Sequence, residues 1–211
     1  MKRMAIISIV LVFLLSLGMV GFRAGLEPVD LNEQYRNATV QLQYESGGHA
    51  SGVVVADNVI LTAKHCVEDV TELTVLMADG TKYVATKFLE DVSDDLALII
   101  VDMNELAIMP IHDGNIKVGD KVICIGSPLN RGFGWNTTLG SVTSTGRVVC
   151  GWWENAFIID AFAGPGNSGG PIIINGKLAG LCVGGFARSG SCMVICEPIA
   201  DLDTELVCLI R

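Results

Sequence analysis

Pro171-Ile172-Ile173-Ile174-Asn175-Gly176-Lys177-Leu178-Ala179-Gly180-Leu181-Cys182-Val183 places two short apolar runs on either side of Asn175-Gly176. Asn-Gly tolerates the positive φ angles of a tight turn, so this stretch predicts a β-hairpin. The same texture continues upstream. Val40, Leu42 and Tyr44 alternate with Thr39, Gln41 and Gln43, the period of a half-buried strand. Gly52–Ala56 and Val59–Thr62 flank Asp57-Asn58; Leu73–Met77 and Lys82–Phe88 flank Ala78-Asp79-Gly80-Thr81. Leu96–Val101, Lys121–Ile125, Asn136–Thr145 and Val148-Val149-Cys150 add further strand-length runs. No helical run of useful length separates them, which excludes a parallel α/β sheet and predicts an antiparallel barrel or sandwich. Met109–Asp120, with Pro110, Gly114 and Gly119, reads as the link between two halves. Packed face to face, two small barrels bury more surface than either can alone. Only the tail, 199–210, has helical spacing, with Leu202, Leu206 and Leu209-Ile210 on one face.

Composition narrows the function. Of 211 residues, 50% are hydrophobic and 18% charged, enough apolar material for a sizeable core. The net charge of −9 argues against a nucleic-acid partner, which needs a basic face to displace phosphate counterions. The acidic residues all follow residue 25. Before it, Met1-Lys2-Arg3 leads into an uncharged run from Met4 to Phe22, closed by Arg23. As a helix that run spans roughly 28 Å at about 1.5 Å per residue. Residues 1–25 therefore read as a signal anchor, or as a signal peptide cleaved near Ser16-Leu17-Gly18. Either puts residues 26–211 outside the cytoplasm, secreted or held to the membrane by one N-terminal helix.

Three motifs carry chemistry. Leu61-Thr62-Ala63-Lys64-His65-Cys66 puts a histidine just past a strand end. Asp94-Asp95-Leu96-Ala97-Leu98-Ile99 opens a buried strand with an acid. Gly164-Pro165-Gly166-Asn167-Ser168-Gly169-Gly170-Pro171 bends glycine-rich backbone around a serine just before the hairpin. Each alone has a commonplace explanation: a satisfied structural histidine, a capping aspartate, a loop. Together, in the order His, Asp, Ser, they are hard to assign to chance.

These motifs resemble the trypsin/chymotrypsin superfamily of serine proteases. Ser168–Gly180 matches the superfamily's run from nucleophile to pocket strand without a gap. The short His–Asp spacing, Ile125-Gly126-Ser127-Pro128, Gly140-Ser141-Val142 and Asp160-Ala161 are more similar to the bacterial HtrA/Deg branch. The resemblance covers Val40 to Pro198. It implies an all-β chymotrypsin-like fold of two six-stranded antiparallel barrels, about 33–113 and 114–200, with a C-terminal helix at about 199–210. It implies a serine endopeptidase acting on protein or peptide substrates through an acyl-enzyme and without a cofactor. His65 would be the base, Asp95 the orienting acid and Ser168 the nucleophile. Asp94 competes for the acid's role; the superfamily motif places the acid directly before Leu-Ala-Leu, which selects Asp95. The N–H groups of Gly166 and Ser168 would form the oxyanion hole. Phe162 stands where trypsin-like enzymes carry a pocket-floor acid, and Val183-Gly184-Gly185 would line the pocket. With no carboxylate there, small or medium apolar P1 residues are expected in place of basic ones.

The departures also matter. Cys66 lacks the usual upstream disulfide partner, since that region reads His49-Ala50-Ser51-Gly52. Cys124, Cys150, Cys182, Cys192, Cys196 and Cys208 could pair or remain thiols. His49, His65 and His112 are scattered, and Glu90, Asp91, Asp94 and Asp95 read as a solvated loop, so no metal site is expected. Trp135, Trp152 and Trp153 mark either a binding surface or the cap of a barrel end. Too few residues follow Pro198 for the PDZ domain usual in HtrA proteins. The alternative function is a catalytically silent binding module on the same fold. Oligomeric state has no sequence signal.

Overall fold

The computed structural model describes residues 31–91, 94–103, 107–128, 135–146, 153, 155–188, 191–202 and 204–210. The expected anchor or signal helix lies outside them, as do Cys150 and Trp152. No helix among the described residues is long and apolar enough to cross a membrane.

Among the described residues, thirteen strands follow a short helix, α1 (Leu31–Ala38). The first seven are β1 (Thr39–Gln43), β2 (His49–Ala56), β3 (Val59–Thr62), β4 (Leu73–Leu76), β5 (Lys82–Ala85), β6 (Lys87–Glu90) and β7 (Ala97–Ile100). They form one sheet in the order β5-β4-β1-β2-β3-β7-β6. The remaining six are β8 (Lys121–Gly126), β9 (Asn136–Ser144), β10 (Phe157–Ile159), β11 (Pro171–Ile174), β12 (Lys177–Arg188) and β13 (Ser191–Pro198). These close into a barrel, β10-β13-β12-β11-β8-β9. All the strand pairings are antiparallel.

The fold is mostly β and chymotrypsin-like, with one correction. The first half is an open seven-stranded sheet rather than a closed six-stranded barrel. The reason lies at Thr86. Lys82–Phe88 reads as one strand, yet the chain leaves the sheet at Thr86 and splits it into β5 and β6. β5 pairs with β4 and β6 with β7, so the pieces end on opposite edges of the sheet. The C-terminal helix is also shorter than its spacing implies. A 3-10 turn, Ile199–Asp201, stops where Leu202 turns extended (ψ 132°), and α2 spans only Thr204–Val207. Ile199 and Leu202 are buried while Leu209 is exposed, so the single apolar face is not used as one.

The Asn175-Gly176 hairpin forms as its residues dictate, with φ of 50° and 79° at the two turn positions. Its turn sits against α1, where the Tyr35 hydroxyl lies 3.2 Å from the position a Gly176 side chain would take. At their seam the sheet and the barrel share one buried apolar cluster, and polar contacts also cross between them. Gln41 on β1 donates through Nε2 to Ser127 Oγ after β8, and the Trp135 indole donates to the Thr39 carbonyl at 2.7 Å. This seam positions everything described below.

Leu98 is fully buried, pairing with Leu61 on one side and Leu89 on the other. Leu98→Ala should destabilise the fold by about 2–5 kcal/mol. At about 2–4 °C per kcal/mol, circular dichroism should report a melting temperature lower by at least about 4 °C.

Candidate active site

β3 ends at Thr62, and the fully buried Ala63 turns the chain into a single 3-10 turn, Lys64–Cys66. Several hydrogen bonds hold that turn. The Lys64 N–H donates to the Asp95 carbonyl (3.2 Å), the His65 N–H to Asp95 Oδ1 (3.0 Å) and the Tyr44 hydroxyl to the Cys66 carbonyl (2.8 Å). Burial pushes the Tyr44 hydroxyl above its ordinary pKa, so it stays a donor across the physiological range.

Asp95 stands just before β7, the strand beside β3. Its carboxylate faces the His65 ring, with Nδ1 2.8 Å from Oδ2 and 3.1 Å from Oδ1. A carboxylate accepts, so Nδ1 carries the proton and donates, which leaves Nε2 as the second nitrogen. Between the two candidate acids, it is Asp95 whose carboxylate receives the His65 N–H groups. The Asp94 backbone N–H donates to Asp91 Oδ1 at 3.2 Å. The Asp95 hydrogen bond is the main influence raising the imidazole above its ordinary 6.5. Cys66 adds to the rise and partial burial opposes it.

Ser168 lies on a loop folded into two consecutive turns: the Asn167 N–H donates to the Gly164 carbonyl (3.0 Å) and the Gly170 N–H to the Asn167 carbonyl (2.8 Å). The loop is tied to β12 by Gly169 N–H to the Cys182 carbonyl, 2.7 Å. It is tied to the first sheet by the Ser51 N–H to the Ser168 carbonyl (2.8 Å) and Ser51 Oγ–H to the Gly166 carbonyl (2.7 Å). Gly166 has φ 100°, and any side chain there would collide with His49 Nε2 and the Ser127 carbonyl. A side chain on Gly169 (φ 79°) would collide with the Ser51 carbonyl and Thr62 Oγ1. Glycine is therefore required at both places. Its absence of bulk at 169 lets the residue after Ser168 rest on Thr62-Ala63, which leads straight into His65. Among the described residues no protein acceptor takes the Gly166 or Ser168 N–H.

Two cavities flank this arrangement. One, of about 310 Å³, is lined by Ala163, Gly164, Pro165, Ser168, Cys182, Gly184, Gly185 and Phe186. The other, of about 510 Å³, is bounded by Lys64, His65, Glu68, Asp94, Asp95, Trp153 and Val183. Val183 of the second lies between Cys182 and Gly184 of the first, so β12 contributes to the lining of both.

The structure thus places Ser168, Gly184 and Gly185 on one cavity and His65, Asp95 and Val183 on the other, while Gly166 packs against His49, Ser127 and Ser51. Phe162 does not join them: its side chain is 50% exposed and its carbonyl accepts from Thr138 Oγ1. Ala163, Cys182 and Phe186 line the Ser168 cavity instead. Sequence reasoning also missed Ser51, His49 and Trp153. His49 donates through Nε2 to the Ser127 carbonyl at 2.6 Å, and the Trp153 indole donates to Asp95 Oδ2 at 3.1 Å. A lone serine, histidine or loop tryptophan has no local pattern that reveals a partner far along the chain. Cys66, Cys124, Cys182, Cys196 and Cys208 are thiols, with Cys182 and Cys196 facing each other across β12 and β13. No group of three or more His, Cys, Asp or Glu among the described residues could hold a metal ion.

Residues 50–181 match the model of the trypsin-like peptidase domain. A probable periplasmic serine endoprotease, DegP-like, of Pseudomonas fulva is 36% identical over 155 residues, 72% of this chain and 32% of that protein. A protein of the same description from Chlamydia pneumoniae is 34% identical over 154 residues, 71% of this chain and 31% of its own length. The chain spans about a third of the length of these relatives. Among solved structures, the HtrA-type protease AlgW with a tripeptide superposes with a TM-score of 0.76 at 26% identity, covering 86% of this chain and 62% of that one. The serine endoprotease from Yersinia pestis gives 0.71 at 29% identity, covering 88% and 68%. The chain belongs to the trypsin-like peptidase domain family and is homologous to DegP/HtrA proteases.

The raised imidazole is directly testable. Titrated by NMR, His65 should keep its proton above pH 6.5. Asp95→Asn removes the largest cause of the rise, so the midpoint should move to lower pH. An unchanged midpoint would contradict the assigned cause.

Proposed function

We propose that this family member is a serine endopeptidase working through His65, Asp95 and Ser168, with the N–H groups of Gly166 and Ser168 as its oxyanion hole. The observation that carries the reading is the His65–Asp95 pair, its Nε2 left over, in a cavity lined by the same strand, β12, that lines the cavity of Ser168.

The chemistry follows from these groups. A serine hydroxyl is a weak nucleophile at neutral pH and must shed its proton as it attacks. His65 in its neutral form, which its raised pKa shifts to higher pH, takes that proton on Nε2 while Ser168 Oγ bonds to the scissile carbonyl carbon. Asp95 keeps Nδ1 protonated and stabilises the imidazolium that forms. The carbonyl oxygen becomes an oxyanion and accepts from the Gly166 and Ser168 N–H groups, each such donor being worth about 10²–10³ in rate. Collapse breaks the C–N bond, and the proton on Nε2 goes to the leaving amine. Water then enters, gives a proton to His65 and releases the acyl group, restoring the serine.

The Ser168 cavity supports a non-basic P1 residue. Ala163, Cys182 and Phe186 furnish its side-chain walls, and no carboxylate is among the lining residues. AlgW structures carry peptides, which supports protein or peptide substrates here. The DegP-like relatives are described as periplasmic. Together with Lys2-Arg3 and the uncharged run that follows, this supports work outside the cytoplasm, with the N-terminal run as anchor or export signal.

A serine-directed fluorophosphonate should label the protein, and Ser168→Ala should abolish labelling and lower kcat by on the order of 10⁶. A folded wild-type chain that binds peptides without labelling would instead be the silent binding module. Gly166→Ala should lower kcat by about 10²–10³, since the loop cannot keep its backbone shape around a methyl group. In a peptide library, cleavage should follow small or medium apolar residues; predominant cleavage after Lys or Arg would overturn the pocket assignment.

A further inference from the structure

Trp153 stands between β9 and β10, strands of the closed barrel, yet its indole reaches the acid beside β7 of the other sheet. Nε1–H donates to Asp95 Oδ2 at 3.1 Å, the same oxygen that receives His65 Nδ1–H at 2.8 Å. Oδ1 is held by the backbone N–H of His65 at 3.0 Å. The two carboxylate oxygens are therefore each anchored by a donor other than the imidazole. Val183, which shares the cavity with Asp95 and Trp153, has only methyl groups and cannot supply such a donor. The far end of the same ring, Cη2, lies 3.2 Å from the position a side chain on Gly184 would take. Gly184 in turn lines the Ser168 cavity.

We propose that Trp153 is a positioning residue: its indole N–H fixes the rotation of the Asp95 carboxylate, and its ring, lying over Gly184, ties that setting to the strand lining the Ser168 cavity. The proposal rests on the roles given above to His65, Asp95 and Ser168. A carboxylate anchored at both oxygens cannot swing, so its lone pair stays aimed at Nδ1 and Nε2 stays aimed outward. Hydrogen bonds to a charged acceptor are among the stronger ones in proteins. Positional slack of about 1 Å in a catalytic group costs up to about 10²-fold in rate. Losing one of two anchors is expected to cost part of that.

The test uses the full chain in detergent, with Trp153→Phe, which keeps most of the ring and removes the donor, and Trp153→Ala, which removes both. Turnover is measured per active site titrated with fluorophosphonate, so misfolded molecules do not count. Trp153→Phe should lower kcat on the order of 10-fold with KM within about twofold. It should also displace the low-field proton NMR resonance of the His65–Asp95 hydrogen bond, identified by its loss in Asp95→Ala. Trp153→Ala should raise KM as well, because Gly184 loses its cover. Wild-type kcat per site in Trp153→Phe, or an unmoved resonance, overturns the proposal and leaves Trp153 a packing residue. If the wild-type chain takes no label, the endopeptidase reading fails separately, and the resonance alone decides whether Trp153 sets the carboxylate.

Discussion

Ser51 is fully buried on β2 and forms hydrogen bonds that join three other segments. Its N–H donates to the Ser168 carbonyl, and its hydroxyl donates to the Gly166 carbonyl while accepting the Ser127 N–H at 3.1 Å. Its carbonyl accepts from Thr62 Oγ1 at 2.8 Å. One small side chain and its peptide thus join the serine loop, the turn after β8 and the strand that leads to His65. Each buried polar group left without a partner costs about 1–3 kcal/mol, so these contacts stand or fall together. They decide where Ser168 sits relative to His65, because no chain segment links the two locally. Gln41 and His49 extend the same network, holding Ser127 by its hydroxyl and its carbonyl.

Strand β12 plays the complementary part. It begins in the Asn175-Gly176 hairpin, and its pairing shifts between Cys182 and Gly184. At that irregularity Val183 falls to one cavity and its two neighbours to the other. The glycines that follow leave the cavity wall without side chains, and Phe186 closes its far end. A single irregular strand thereby contributes to the cavity of the imidazole and to that of Ser168.

Much of this was legible in residues that act locally. Asn175-Gly176 dictates a turn by its own backbone preference, and alternating Val40, Leu42 and Tyr44 dictate a strand by their own period. The His65, Asp95 and Ser168 motifs are short and carry their strand ends with them. What stayed hidden depends on distant partners. Thr86 gives no breaking signal, so the split of β5 from β6 and the open sheet that results were not readable. α1 is polar along its length and is recognisable only once Tyr35 and Ala38 are seen to be buried. β10 is three residues long, too short for any period. Phe162 was chosen by its distance from Ser168 along the chain, but the loop turns it outward and Ala163 inward. Ser51 and Trp153 carry no motif; their importance is wholly a matter of what the fold brings beside them.

The anchoring of the serine loop across the seam also governs when the groove can exist. Gly166 and Ser168 come from the barrel half, while the hydroxyl and amide that hold their carbonyls come from the sheet half. Neither half alone contains the grip. A nascent or partly unfolded chain carries every reactive side chain yet lacks the cradle, so the geometry matures only upon docking of the halves. Folding would then begin with the molecule disarmed, and any loosening of the seam would disarm it again.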